Sequence, residues 1–225
     1  MNNLIQKTVV GFLTLLLALA VAIFGPAGTL NFWQGWFYLL AFFGSTLLIT
    51  LYLVKYDQTL LESRTEAGPT AETDKRQQVI QSLASLFFIG LFVIPGFDHR
   101  YHWSSVPTPI VWIADGFVVL GFLFIFFVFK ENSYTSAVIE VADKQKVVST
   151  GPYALVRHPM YLGAGVMLLA TSPALGSWMG VPMAILLMLV IAVRAVEEEK
   201  FLRANLQGYA QYTQTVRYRL IPFVW

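Results

Sequence analysis

Arginine, histidine and proline meet in "RHPMY", residues 157–161, where a basic stretch runs into an apolar one. Proline at the first turn of a helix sacrifices no hydrogen bond, because the N–H it lacks has no partner there. His158 then stands at the helix start, beside free backbone donors and the positive end of the dipole. Such a place suits an anion or a polar ligand, and equally a simple cap. A second polar cluster, "RAVEEEKFLRANLQGYAQY", begins at residue 194. Arg194 is four residues from Glu198 and three from Glu197, which puts the set on one helix face. Read structurally, this is a solvated helix end with an internal salt bridge. Read chemically, it is one wall of a polar pocket, with residues 130–157 long enough to lie over both clusters.

The elements that must position these groups are set by the composition. Of 225 residues 56% are hydrophobic and only 12% charged, about half the usual charged share of a soluble domain. Mean hydropathy is +0.62. A core of this size cannot hide so much apolar surface from water, so the expected solvent is lipid. Six apolar stretches are predicted, at 4–24, 33–54, 79–97, 109–129, 160–172 and 178–196. The first four reach the roughly 20 residues a membrane helix needs. The fifth is short, and "SPALGS" at 172–177 joins it to the sixth as a helical hairpin. With no small-residue cleavage site before Gly25 and another apolar stretch close behind, the first stretch reads as a retained span.

The fifteen Lys and Arg fall fourteen to one: Arg100 alone lies on the side opposite the others. The positive-inside rule then expects a multi-pass membrane protein with both termini cytoplasmic. The expected fold is all-α and polytopic, about six membrane helices in one domain over 1–225. Four membrane helices occupy 1–129, and 130–225 holds the pocket loop, the hairpin and a tail. The segment 55–78 reads as a polar cytoplasmic loop. The chain has no cysteine, which excludes disulfides and thiolate metal sites. His99 and His102, in the outer loop 98–108, read as interfacial residues, and no metal is expected. Asp115 is either a buried functional acid or a helix-start residue. Between Lys130 and Arg157, "AVIEV" and "KVV" are β-branched runs able to cross a helix end in extended form, and Gly151-Pro152 makes a turn.

The run "VVSTGPYALVRHPMYLG", then "RAVEEEKFL", "GYAQY" and "RYRLIP", resembles the isoprenylcysteine carboxyl methyltransferase family, part of a wider group that includes phospholipid N-methyltransferases. The resemblance covers 130–222, with "ENSYTSAVIEV" compatible upstream. It implies an integral membrane enzyme that uses S-adenosylmethionine without a Rossmann domain, its cofactor pocket on the cytoplasmic side. Carried over, it assigns Gln145, Lys146, Val147, Val148, Tyr153, His158, Pro159, Met160, Tyr161 and Glu198 to the cofactor. Arg194 goes to the substrate, and Arg194 and Glu198 are the catalytic pair. Between the glutamates and Gly208 the chain is one residue longer than the eukaryotic pattern, which leaves the tail unassigned.

The chemistry implied is orientation of nucleophile, methyl and sulfur without a metal. A carboxylate acceptor, ordinarily ionised near pH 4, would need no base and would meet Arg194 bidentately. The expected acceptor is thus lipophilic or amphiphilic, first a carboxylate of isoprenylcysteine type entering sideways from the bilayer. A phospholipid headgroup amine or a thiol is the alternative, and an amine would bring in Glu197 or Glu199 as base. A nicotinamide-dependent sterol-type reductase and a non-catalytic scaffold or transporter subunit stand as other classes. No nucleic-acid partner is expected.

Overall fold

The computed structural model describes residues 2–225 except 66, 67, 69, 71, 73, 143 and 144. Parts of the predicted 55–78 and 130–157 loops, and Lys144 of the charge bias, therefore lie outside the described residues. Among the described residues eight α-helices follow in order: α1 Asn2–Ala27, α2 Trp33–Tyr56, α3 Gln58–Thr65, α4 Lys75–Tyr101, α5 Thr108–Glu131, α6 Pro159–Ala174, α7 Val181–Asn205 and α8 Tyr209–Thr215. Among the described residues there is no strand, and "AVIEV" and "KVV" run without a β ladder. The fold is all-α and polytopic.

Four helices, α1, α2, α4 and α5, are long and apolar enough to cross a membrane. Their outward side chains show what solvent they expect: Leu17, Leu40 and Leu48 are 67%, 69% and 70% exposed, which only lipid rewards. α6 has 16 residues, about 24 Å at helical rise, and α7 carries Arg194, Glu197 and Glu198 in its second half. These two form the predicted hairpin, turning at residues 175–180.

Local signals account for the ends. Asp74 caps α4 by accepting from Arg76 N at 2.6 Å, Pro107 and Pro109 open α5, and Pro159 opens α6. His102 closes α4 in the left-handed region, φ 55°, and His99 stacks on Phe32 with centroids 4.0 Å apart. At the same end, buried Asp98 accepts from Ser104 N at 2.6 Å and from Ser177 Oγ. That fastens the hairpin turn to α4. Asp115 lies in the second turn of α5, buried, and among the described residues neither carboxylate oxygen is hydrogen-bonded.

Small residues let the helices touch. A Cβ on Gly121 of α5 would stand 2.8 Å from Gly163 O and from Met167 Cβ of α6. One on Gly96 of α4 would lie 2.5 Å from Ile23 O of α1. Lipid drives no apolar association between helices, so close backbone approach of this kind carries the packing. Tyr38, Phe42, Leu91, Phe92, Phe122 and Leu168 fill the centre. The polar clusters gather at one end, where α2, α5 and α7 finish and α4 and α6 begin.

Candidate active site

Three consecutive glutamates on α7 step about 100° apart around the axis, and each meets a different environment. Glu197 turns outward and takes Lys200 Nζ at 2.5 Å. Glu199 turns inward, its side chain 4% exposed, onto Arg157 Nε at 2.6 Å and Arg219 Nε at 3.1 Å. Glu198 points between them into a cavity. Its Oε2 accepts from Tyr161 OH at 2.7 Å and stands 3.8 Å from His158 Nδ1. Among the described residues it has no Lys or Arg partner.

The cavity is open at its mouth and takes in about 830 Å³ with the adjoining solvent space included. All eleven residues singled out in the sequence line it: Gln145, Lys146, Val147, Val148, Tyr153, His158, Pro159, Met160, Tyr161, Arg194 and Glu198. Asn132, Ser136, Glu140, Arg157, Tyr209 and Tyr212 are among the others on its wall. Val147 and Val148 pack on Val128, Leu206, Tyr209 and Tyr212, so the loop lies down on an apolar seat. Gly151, at φ 56°, lets the chain pass Glu131, whose carboxyl carbon would be 2.9 Å from a Cβ there. Asn132 Nδ2 donates to Tyr153 OH at 2.9 Å, and Tyr212 OH to Tyr153 O at 2.7 Å. Burial pushes the Tyr153 phenol above its ordinary range, so it stays neutral.

His158 starts α6 without capping it. Its ring stacks on Tyr161 at 5.5 Å, and Nε2, although 3.4 Å from Glu199 Oε1, is out of line for a hydrogen bond. Among the described residues buried Nε2 is thus left unpaired, as is Tyr209 OH. What holds His158 is the tail: His158 N donates to Arg219 O and Arg157 N to Tyr218 O, both at 2.9 Å. Arg157 Nη1 reaches the carbonyls of Val216 and Arg217 at 2.8 Å. Burial works to raise the Glu199 carboxyl, but the close approach of His158 and the hydrogen bonds from Arg157 and Arg219 outweigh it and hold the group down at about 2. The tail, unassigned from sequence, clamps the head of α6.

Arg194 does not pair with Glu198, the partner that helical spacing offered. Its Nε donates to Tyr161 OH at 3.1 Å, which separates the two. Nη2 instead meets Glu72 Oε1 at 2.7 Å and Ala137 O at 3.0 Å. With the Gln81 amide oxygen turned toward the guanidinium, Nη1 donates to it at 2.8 Å. Glu72 also faces Ile139 N at 3.5 Å, so it ties the segment before α4 to α7 and to the pocket loop. Nothing in the sequence marked Glu72 among the acids of that segment. Tyr209 and Tyr212 lie in "GYAQY", part of the resemblance, but within the tail that the sequence left unassigned.

Residues 109–208, somewhat under half of the chain, match the model of the phospholipid methyltransferase family. No curated protein matches the chain.

Proposed function

We propose that the chain is a membrane methyltransferase that uses S-adenosylmethionine and acts on an amphiphilic acceptor. The observation that carries this is Glu198: a carboxylate with no Lys or Arg partner among the described residues, on the wall of a tyrosine-lined cavity, where a cationic ligand would restore charge balance. The match to phospholipid methyltransferases over 109–208 supports it.

The residues present fit the cofactor. Glu198 offers an acceptor to its ammonium or ribose hydroxyls. The unpaired His158 Nε2 and Tyr209 OH offer polar contacts, and Val147, Val148, Met160 and Leu206 offer an apolar bed for the adenine. When bound, the cofactor supplies an electrophilic methyl on a cationic sulfur, which the acceptor's lone pair takes as the sulfur departs as a neutral thioether. The chain's own task is to orient the reactants and exclude water. Tyr161 fixes Glu198 from one side and Arg194 from the other, and the tail clamp fixes His158.

On the acceptor, Arg194 bears directly. A carboxylate of isoprenylcysteine type would find the guanidinium already matched by Glu72 and would have to share or displace it. An amine on an amphiphile needs no such exchange. Its nitrogen must shed a proton, and Glu198 and His158, 3.8 Å apart on the wall, are placed to take it.

Calorimetric titration of detergent-purified protein with S-adenosylmethionine, its demethylated product and NADPH tests the cofactor. Binding of neither adenosyl ligand by folded protein rejects the proposal, and binding of NADPH alone indicates a reductase. Incubation with methyl-labelled cofactor and a lipid extract then identifies the acceptor by what becomes labelled.

A further inference from the structure

Arg64, on α3, differs from the other arginines around the cavity. Arg157 and Arg219 share Glu199, and Arg194 has Glu72. Arg64 is partly buried, yet among the described residues no carboxylate pairs with it within 4.0 Å. Its Nη1 donates to Ser136 O at 3.2 Å and faces Met160 Sδ at 3.6 Å. The guanidinium also lies over the Phe129 ring at 5.4 Å. A carbonyl, a thioether and a π face are weak company for a cation drawn out of water. Burial lowers its pKa, the nearby Tyr161 works against that, and the like charge of Arg194 adds to the lowering.

Two features indicate what would answer that charge. First, Nε and Nη2 make no hydrogen bond among the described residues. They form one edge of the guanidinium fork, the edge that takes an oxyanion bidentately. Second, the surroundings are lipid-like on one side and the cavity wall on the other. Leu60, Leu61 and Phe129 make a buried apolar cluster beside Arg64, while Ser136 and Met160, its two polar neighbours, line the cavity. An arginine that served only membrane orientation would stand in water, with its donors solvated.

We propose that Arg64 is an oxyanion site for an amphiphile, binding a phosphate or carboxylate carried by a lipophilic molecule whose far end reaches the cavity past Met160. This deepens the methyltransferase reading, since it anchors the acceptor by its anion and leaves Arg194 to Glu72. As a binding event it needs no methyl donor. The residue lies outside the segment matched by the family model.

The test is titration in uncharged detergent micelles, without cofactor, of four probes: inorganic phosphate, a phosphate-headed amphiphile, a carboxylate-headed amphiphile and a neutral-headed one of equal chain length. Wild type should bind at least one anionic amphiphile more tightly than the neutral one and than inorganic phosphate. Arg64→Gln should weaken that binding at least tenfold, leaving the neutral amphiphile and the adenosyl product unchanged. Arg64→Lys, which keeps the charge without the fork, should fall between, and it carries the test should Arg64→Gln prove unfolded by its melting curve. Equal binding of inorganic phosphate and amphiphile would overturn the lipophilic part. Unchanged anionic binding in both variants, or equal loss for the neutral probe, would overturn the site. Loss of the adenosyl product alone would reassign Arg64 to the cofactor carboxylate. Failure of adenosyl binding in wild type, with the amphiphile results intact, would sink only the methyltransferase reading.

Discussion

Glu72→Ala asks the most of this structure, because it removes a partner from a pair that helical spacing could not indicate. The Arg194 and Glu72 side chains are 9% and 3% exposed and 2.7 Å apart. Truncating one member of a buried pair leaves an uncompensated charge and costs about 3–5 kcal/mol. Here the lower end applies, since Arg194 lines the cavity, where water can reach it, and keeps Tyr161 OH and Ala137 O. A loss of about 3 kcal/mol in a chain of this size lowers Tm by ~6–12 °C. The assay is tryptophan-monitored thermal unfolding in detergent at a fixed scan rate. It should be run as a cycle with Arg194→Met and with the double variant Glu72→Ala/Arg194→Met. Replacing both charges by apolar groups removes the orphan, so the double variant should regain most of the loss. A Glu72→Ala cost below about 1 kcal/mol, or a double variant no better than the sum of the singles, would refute the buried pair and return Arg194 to the cavity as a free cation.

Glu198→Gln should weaken binding of the adenosyl product about tenfold, the worth of one charged hydrogen bond. Glu197→Gln, one residue away but tied outward to Lys200, should leave it unchanged; titration of both variants decides. Glu199 is held at about 2 against an ordinary 4.5, so between those pH values the unfolded chain binds the extra proton. Stability should therefore fall as pH drops from 4.5 toward 2, and Glu199→Gln should flatten that slope in melting curves taken across the window. Gly121→Ala places a methyl 2.8 Å from a carbonyl that cannot yield and should cost about 1–3 kcal/mol. Gly116→Ala on the same helix meets nothing within 4 Å and should be neutral or slightly stabilising, so equal melting shifts for the two would contradict the α5–α6 approach.

Much of this molecule is legible along the chain, because the governing physics is local. Lipid as solvent demands long apolar runs, and α1, α2, α4 and α5 lie where the runs predict. Pro159 opens α6, and Gly176, at φ 73° within "SPALGS", turns the hairpin, although α6 runs on through Ser172, Pro173 and Ala174 of that stretch; proline fits a first helical turn and glycine the left-handed region wherever they stand. The two polar clusters, 157–161 and 194–199, are also visible as departures from the apolar background, and they do meet. What each charged group answers to was decided only in three dimensions. Periodicity places Arg194 and Glu198 on one face, but Tyr161 comes between them, and Glu72, 122 residues away, takes the arginine. Consecutive glutamates look alike in sequence, yet neighbours from the α6 head and the tail make one a buried clamp and another a cavity wall. A charge drawn out of water must find a partner wherever packing delivers one, and no short-range pattern encodes that delivery.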